Sequence, residues 1–133
     1  MNSKVDKNGN CIYYKDGLNR EVYMEYDKNN NLIHKKTAGG FEYWQEFDKN
    51  GNRTYLKNSY GNETWQEYDE INREIYCKFL NNSEDYEGWF KYNEDNERID
   101  ITEEKRKQIE RAKAKQELYF NNKKFNRFEI MDI

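Results

Sequence analysis

A chain of 133 residues has room for one domain, and at that size only about 60–70% of its unfolded surface can be buried. Its net charge is −3, 37% of its residues are charged, its mean hydropathy is −1.44 and no run of 18 apolar residues occurs, which excludes a membrane-spanning helix. Aromatic residues number 22 against 24 aliphatic, small apolar and Cys residues, so aromatics must carry most of the burial, and their regular spacing excludes a disordered chain.

The residues Met1–Asn10 are polar, with no stretch resembling a signal peptide, and a cytoplasmic location is expected. From there an internal repeat sets the pattern. Val5-Asp6, Tyr26-Asp27, Phe47-Asp48 and Tyr68-Asp69 follow at steps of 21 residues, and a degraded copy, Tyr92-Asn93, comes after 24. Aligned on that step, the copies share columns: Glu21, Glu42, Glu63; Tyr23, Trp44, Trp65, Trp89; Lys15, Lys36, Lys57, Lys78; Ile12, Ile33, Thr54, Ile75. Each copy reads as two alternating strands and two turns, with Asn50-Gly51 as a type I′ reversal needing positive φ at both residues. Strands are expected at 11–16, 21–27, 32–37, 41–48, 53–58, 62–69, 73–79 and 86–93, with a ninth at 97–101 left open. The fold class is therefore mainly β, an antiparallel meander of about eight strands. No proline interrupts the ladder. Cys11 and Cys77, three repeats apart, are on the order of 29 Å apart in an open sheet and are read as free thiols.

After the sheet the period changes. Asp100-Ile101-Thr102-Glu103 has the form of a capping box, and a helix is expected over 101–120, followed by a tail over 121–133 whose Phe125, Phe128, Ile130 and Ile133 suggest a last strand beside it. The weak stripe of Ile101, Ile109, Ala112 and Tyr119 suits a helix closing one end of the sheet. The whole is expected to be a single domain, 1–133. Charge divides at the same boundary: 14 Lys and Arg against 20 Asp and Glu up to residue 101, a net of −6, and 9 against 6 beyond it, a net of +3.

Little of the sequence supports catalysis. Asp6–Asn10, Asp27–Asn31 and Asp48–Asn52 resemble calcium loops, but an EF-hand counted from Asp48 would need Gly and Glu where Arg53 and Ser59 stand, and turns account for every residue. His34 is the only histidine, in a column otherwise of Tyr13, Tyr55 and Tyr76, and has no nucleophile to serve. Glu42 and Glu46 flank Trp44 as Glu63 and Glu67 flank Trp65, and carboxylates repeated in every copy argue against one special catalytic environment. No catalytic residue, metal or cofactor is expected.

Pairing the Trp column with the Tyr and Lys columns makes one face of Trp, Tyr, Glu and Lys ladders. The opposite face, expected to be the buried or concave one, then holds Tyr26, Phe47, Tyr68, Tyr92, Ile12, Ile33, Leu56, Ile75 and Phe79. Aromatics framed by charge suit a protein-binding surface. The candidate partner-binding residues are Trp44, Trp65, Trp89, Tyr55, Tyr76, Glu46 and Glu67, with Lys105, Arg106 and Arg111 of the basic helix.

The stretch Gly61-Asn62-Glu63-Thr64-Trp65-Gln66-Glu67-Tyr68-Asp69, its equivalent at Gly40 to Asp48 and the turn Asn50-Gly51-Asn52 resemble the YD repeat of Rhs proteins and teneurins over Val5 to Ile101. In large members many copies coil into a non-catalytic β shell around cargo, and the resemblance implies a hairpin array without that enclosure. The short, Asn- and Lys-rich chain also looks like accessory proteins of phages and mobile elements, including inhibitors of host defence nucleases. The expected function is a non-enzymatic interaction with a host or phage protein, for instance inhibition of a CRISPR effector. Two other classes stay open: nucleic-acid or carbohydrate binding by stacking, with phosphate contacts only through the basic helix, and a structural, self-assembling repeat. Exposed sheet edges also leave a homodimer open, and no membrane partner is expected.

Overall fold

The computed structural model describes the backbone of residues 2–131 and the side chains of residues 2–123. Ten strands precede one helix: β1 (Asn2–Val5), β2 (Cys11–Lys15), β3 (Glu21–Tyr26), β4 (Leu32–Lys36), β5 (Glu42–Phe47), β6 (Arg53–Asn58), β7 (Glu63–Tyr68), β8 (Glu74–Leu80), β9 (Asp85–Tyr92), β10 (Arg98–Asp100) and α1 (Thr102–Met131). They form an open antiparallel meander in chain order, β1 to β10. Two compact units divide within β9, one ending at Phe90 and the other beginning at Lys91. The meander is the expected fold with two strands more than the eight expected. β1 belongs to the first repeat copy, whose Val5-Asp6 step marks its end, and β10 fills the place left open at 97–101.

The turns differ from the type I′ expectation. At the β5–β6 turn the Gly51 amide donates to the Asp48 carbonyl at 3.1 Å and the Asp48 amide to the Asn52 carbonyl at 2.8 Å. Only Gly51 has positive φ, 83°, while Asn50 does not. This is a type I turn closed by one left-handed residue, which glycine or asparagine enters at little steric cost. What selects it is the side chain of Asp48, whose Oδ1 accepts from the amides of Asn50 and Asn52, both at 2.9 Å. Asp6, Asp16, Asp27 and Asp69 do the same in their turns, and Asn58 and Asn93 stand in for Asp in two others. The left-handed position is Gly9, Asn19, Asn30, Gly40, Gly51, Gly61, Asn72 or Asn96. The β8–β9 connection, where three residues are inserted, is built differently around the Asn81 side chain.

One residue past the turns of Asp6, Asp27, Asp48 and Asp69 the register slips. Glu46 pairs Tyr55 but Phe47 pairs Arg53, so Thr54 is an extra residue, and the same slip leaves Ile12, Ile33 and Ile75 as extras on β2, β4 and β8. A bulge re-aims side chains and adds local twist. It also breaks the strict alternation on which the expected face assignment rested: Ile12, Ile33 and Ile75 were expected opposite the Trp column. Instead Ile12 lines a groove with Tyr13 and Tyr23, Ile33 with His34 and Trp44, and Thr54 and Ile75 with Tyr55 and Trp65.

Beyond the bulges the ladders of β2, β4 and β6 with their next strands stop, at Tyr13–Tyr23, His34–Trp44 and Tyr55–Trp65. Side chains bond the carbonyls left over. The Tyr26 hydroxyl donates to the Cys11 carbonyl at 2.9 Å and the Tyr68 hydroxyl to that of Arg53 at 3.2 Å. In the middle copy Phe47 has no hydroxyl, and Gln45 Nε2 reaches the equivalent Leu32 carbonyl at 2.6 Å.

Within the first unit the sheet is a single layer. Its buried apolar side chains are Val22, Cys77 and Phe90, all on the face opposite the Trp column, as expected, yet most of that face is only half-buried. Gly88, paired with Cys77, lets the rings of Tyr86 and Phe90 close over it, since a Cβ there would lie 2.7 Å from the Tyr86 hydroxyl and 3.1 Å from Phe90 Cζ. Cys11 and Cys77 are not joined in a disulfide.

In the second unit the Ile101 carbonyl accepts from the Lys105 amide, and the Asp100 carboxylate caps the Thr102 amide at 2.9 Å and its hydroxyl at 2.6 Å. The expected cap is there, one residue earlier than a capping box puts it. The helix runs on to Met131, so over 121–131 the expected strand is helix, while Asp132 and Ile133 lie outside the described residues; no Gly or Pro interrupts it, and the hydroxyl-free aromatics of the tail fit helical spacing as well as strand spacing. Side chains of residues 106–123 are exposed and no apolar stripe forms. Among the described residues no helix is long and apolar enough to cross a membrane.

Candidate functional site

Strand pairing brings the sequence columns into cross-strand rows on one face. One row reads Glu25, His34, Trp44, Lys57, Glu63 across β3 to β7, and the next Glu46, Tyr55, Trp65, Lys78, Glu87 across β5 to β9. A third begins Glu67, Tyr76, Trp89. Each repeat moves the row two strands across and two residues along, so equivalent side chains recur roughly every 12 Å, from about 4.8 Å per strand and 3.3 Å per residue.

Every row carries an aromatic pair at equivalent positions. Ring centroids are 5.1 Å apart for Tyr13–Tyr23, 5.2 Å for His34–Trp44, 5.5 Å for Tyr55–Trp65 and 5.1 Å for Tyr76–Trp89. The tyrosines tilt at 51–55°, whereas the His34 imidazole lies parallel to the Trp44 indole, within 7°. A carboxylate closes each pair: the Tyr55 hydroxyl donates to Glu63 at 2.9 Å and that of Tyr76 to Glu87 at 2.6 Å. His34 Nε2 meets Glu42 at 2.7 Å in the same way, and its Nδ1 lies 3.3 Å from Glu25. Burial pushes the Tyr55 and Tyr76 hydroxyls up, and the accepting carboxylates push them further. These phenols therefore stay protonated donors. Lysines stand on the other side of the rings, Lys4 Nζ 5.4 Å from the Tyr13 centroid and Lys78 Nζ 5.7 Å from that of Trp65.

Between rows lie shallow grooves that repeat with the sheet. One is lined by Glu46, Asp48, Thr54, Tyr55, Trp65 and Glu67 among others, and its neighbour by Glu25, Asp27, His34, Trp44, Glu46 and Tyr55. Glu46 and Tyr55 are a wall common to both. At the β1 edge the equivalent groove has Lys4 where the central ones have glutamate. The Asn52 and Asn31 amides, the largest influence, with side-chain bonds from the same residues, hold the Asp48 and Asp27 carboxyls below the usual range. Both grooves thus carry negative charge at neutral pH.

The structure thus gathers Trp44, Tyr55, Trp65, Tyr76, Trp89, Glu46 and Glu67 on one face. Lys105, Arg106 and Arg111 are in α1, where 100° per residue spreads them round the axis rather than into one patch. Sequence reasoning set Asp27 and Asp48 aside as turn residues and placed Ile33 on the far face, so their place in the grooves went unread. Only a bulge, invisible to a period-two reading, puts Ile33 there. Among the described residues no group of His, Cys, Asp and Glu has the arrangement of a metal centre. Compared with known proteins, the chain matches no family model and no curated protein.

Proposed function

We propose that this protein is a non-enzymatic interaction module whose Trp, Tyr, Glu and Lys rows bind another protein. The observation that carries the reading is the regular row of half-exposed aromatic pairs on a sheet that, within its own unit, has a single layer. Monomeric proteins rarely leave contiguous aromatic surface open, and Trp and Tyr framed by charge are enriched where binding energy concentrates. Folding alone would be served as well by aliphatic residues on one face.

The finer reading is a phage-type inhibitor of a bacterial defence effector, such as a CRISPR nuclease, built on YD-type hairpins; it draws on the resemblance of the repeat and of the short Asn- and Lys-rich chain. An affinity capture from bacterial lysate, followed by direct binding to each purified candidate, tests the reading. Trp44→Ala with Trp65→Ala should reduce direct binding at least tenfold, about 1.4 kcal/mol or more, while the far-ultraviolet spectrum is kept. Unchanged binding by the folded double variant would remove the Trp face from consideration. For the finer reading, the wild-type chain should inhibit cleavage by the captured nuclease in proportion to its concentration.

A further inference from the structure

We propose that the two central grooves of the Trp face take arginine and lysine side chains from a basic segment of the partner protein. This deepens the interaction reading and rests on it. Each groove joins two chemistries that suit the same ligand group: an aromatic pair, which attracts a cation over its face, and carboxylates at its rim. Three acidic side chains line each groove, Glu25, Asp27 and Glu46 in one and Glu46, Asp48 and Glu67 in the other, and neither lining includes Lys or Arg. Among the described residues the carboxylates of Glu46 and Glu67 make no hydrogen bond or ion pair, although the other glutamates of the rows close onto Tyr or His. They are exposed, so nothing in the fold occupies them.

The chain shows that its rings accept a cation, since Lys78 Nζ already sits 5.7 Å from the Trp65 ring centroid. Residues up to 101 carry a net charge of −6, which favours a basic partner and speeds its encounter. Because Glu46 and Tyr55 serve both grooves, cations about 12 Å apart on one segment would share that wall. Arginine fits better than lysine: a planar guanidinium stacks on an indole and pairs with a carboxylate together.

The test uses the full chain and a labelled nona-arginine peptide, read by fluorescence anisotropy at low and high salt. Binding should be saturable, weaken with salt, be tighter than for nona-lysine, and be about tenfold weaker for Glu46→Gln with Glu67→Gln. A control, Glu70→Gln with Glu84→Gln, removes the same charge outside the grooves and should bind like wild type. Equal weakening in both pairs, or no binding, overturns the inference, as does an undiminished response in Trp65→Ala that keeps its fold. If the double tryptophan variant loses the captured partner while nona-arginine ignores Glu46→Gln with Glu67→Gln, this inference fails and the interaction reading stands. If that variant keeps its partner, the reading beneath fails first.

Discussion

The Leu32 carbonyl takes its hydrogen bond from Gln45, whereas the equivalent Cys11 and Arg53 carbonyls take theirs from Tyr26 and Tyr68. One missing hydroxyl, at Phe47, has been replaced from two residues away on the same face. Gln45→Ala should lower stability by about 1 kcal/mol in urea unfolding, the worth of one such bond. Phe47→Tyr in that background should recover much of the loss, and failure to do so would mean that this carbonyl needs no donor. His34 shows how far single residues could be read from sequence. Its column marked it as a stand-in for tyrosine, and its bond to Glu42 repeats the hydroxyl–carboxylate contact of Tyr55 and Tyr76. Its second contact, with Glu25, depends on which residues of β3 and β4 face each other, and a column alignment carries no such register.

At the scale of elements, the strands were legible because alternation and a 21-residue step mark them, but the turns were not. Asn50-Gly51 suits a type I′ turn and also the last two loop positions of the turn that forms. Asp48, two residues ahead of Asn50, decides by accepting two amides. The same capping ties the sheet to pH. In Asp16, Asp27, Asp48 and Asp69 the amide four residues on, first among the causes, holds the carboxyl below its ordinary value, and Asp6 ends lowered despite desolvation working the other way. A carboxyl depressed in the folded state contributes stability that is present above its unfolded value and lost as pH falls through the folded one. Stability should therefore hold from neutral pH to about 4 and decline below it, near the ordinary Asp value of about 3.9. Circular dichroism during acid titration checks this. Replacing Asp27, Asp48 and Asp69 with Asn, which keeps an acceptor but does not titrate, should flatten the decline; a transition already complete near pH 6 would place the acid-sensitive groups elsewhere.

At the scale of the molecule, repetition makes the first unit additive: each hairpin meets its neighbours, and stability is shared among like contacts rather than held in one core. The columns made the Trp face legible from sequence, since every candidate on it kept the same strand phase. They could not show the bulges at Ile33 and Ile75, nor the grooves these residues line. The tail was misread for a related reason: Phe125 and Phe128 can be strand or helix residues, and it is the unbroken run of helix formers before them that continues α1 to Met131.

Partner contacts are expected to fall on the Trp face. Two-dimensional amide and indole spectra of the labelled protein, recorded with and without the captured partner, test it most directly. The indole signals of Trp44 and Trp65 and the amides of Tyr55, Glu46 and Glu67 should shift or broaden first. Changes confined to α1, or to the opposite face around Tyr43, Phe79 and Tyr86, would contradict it.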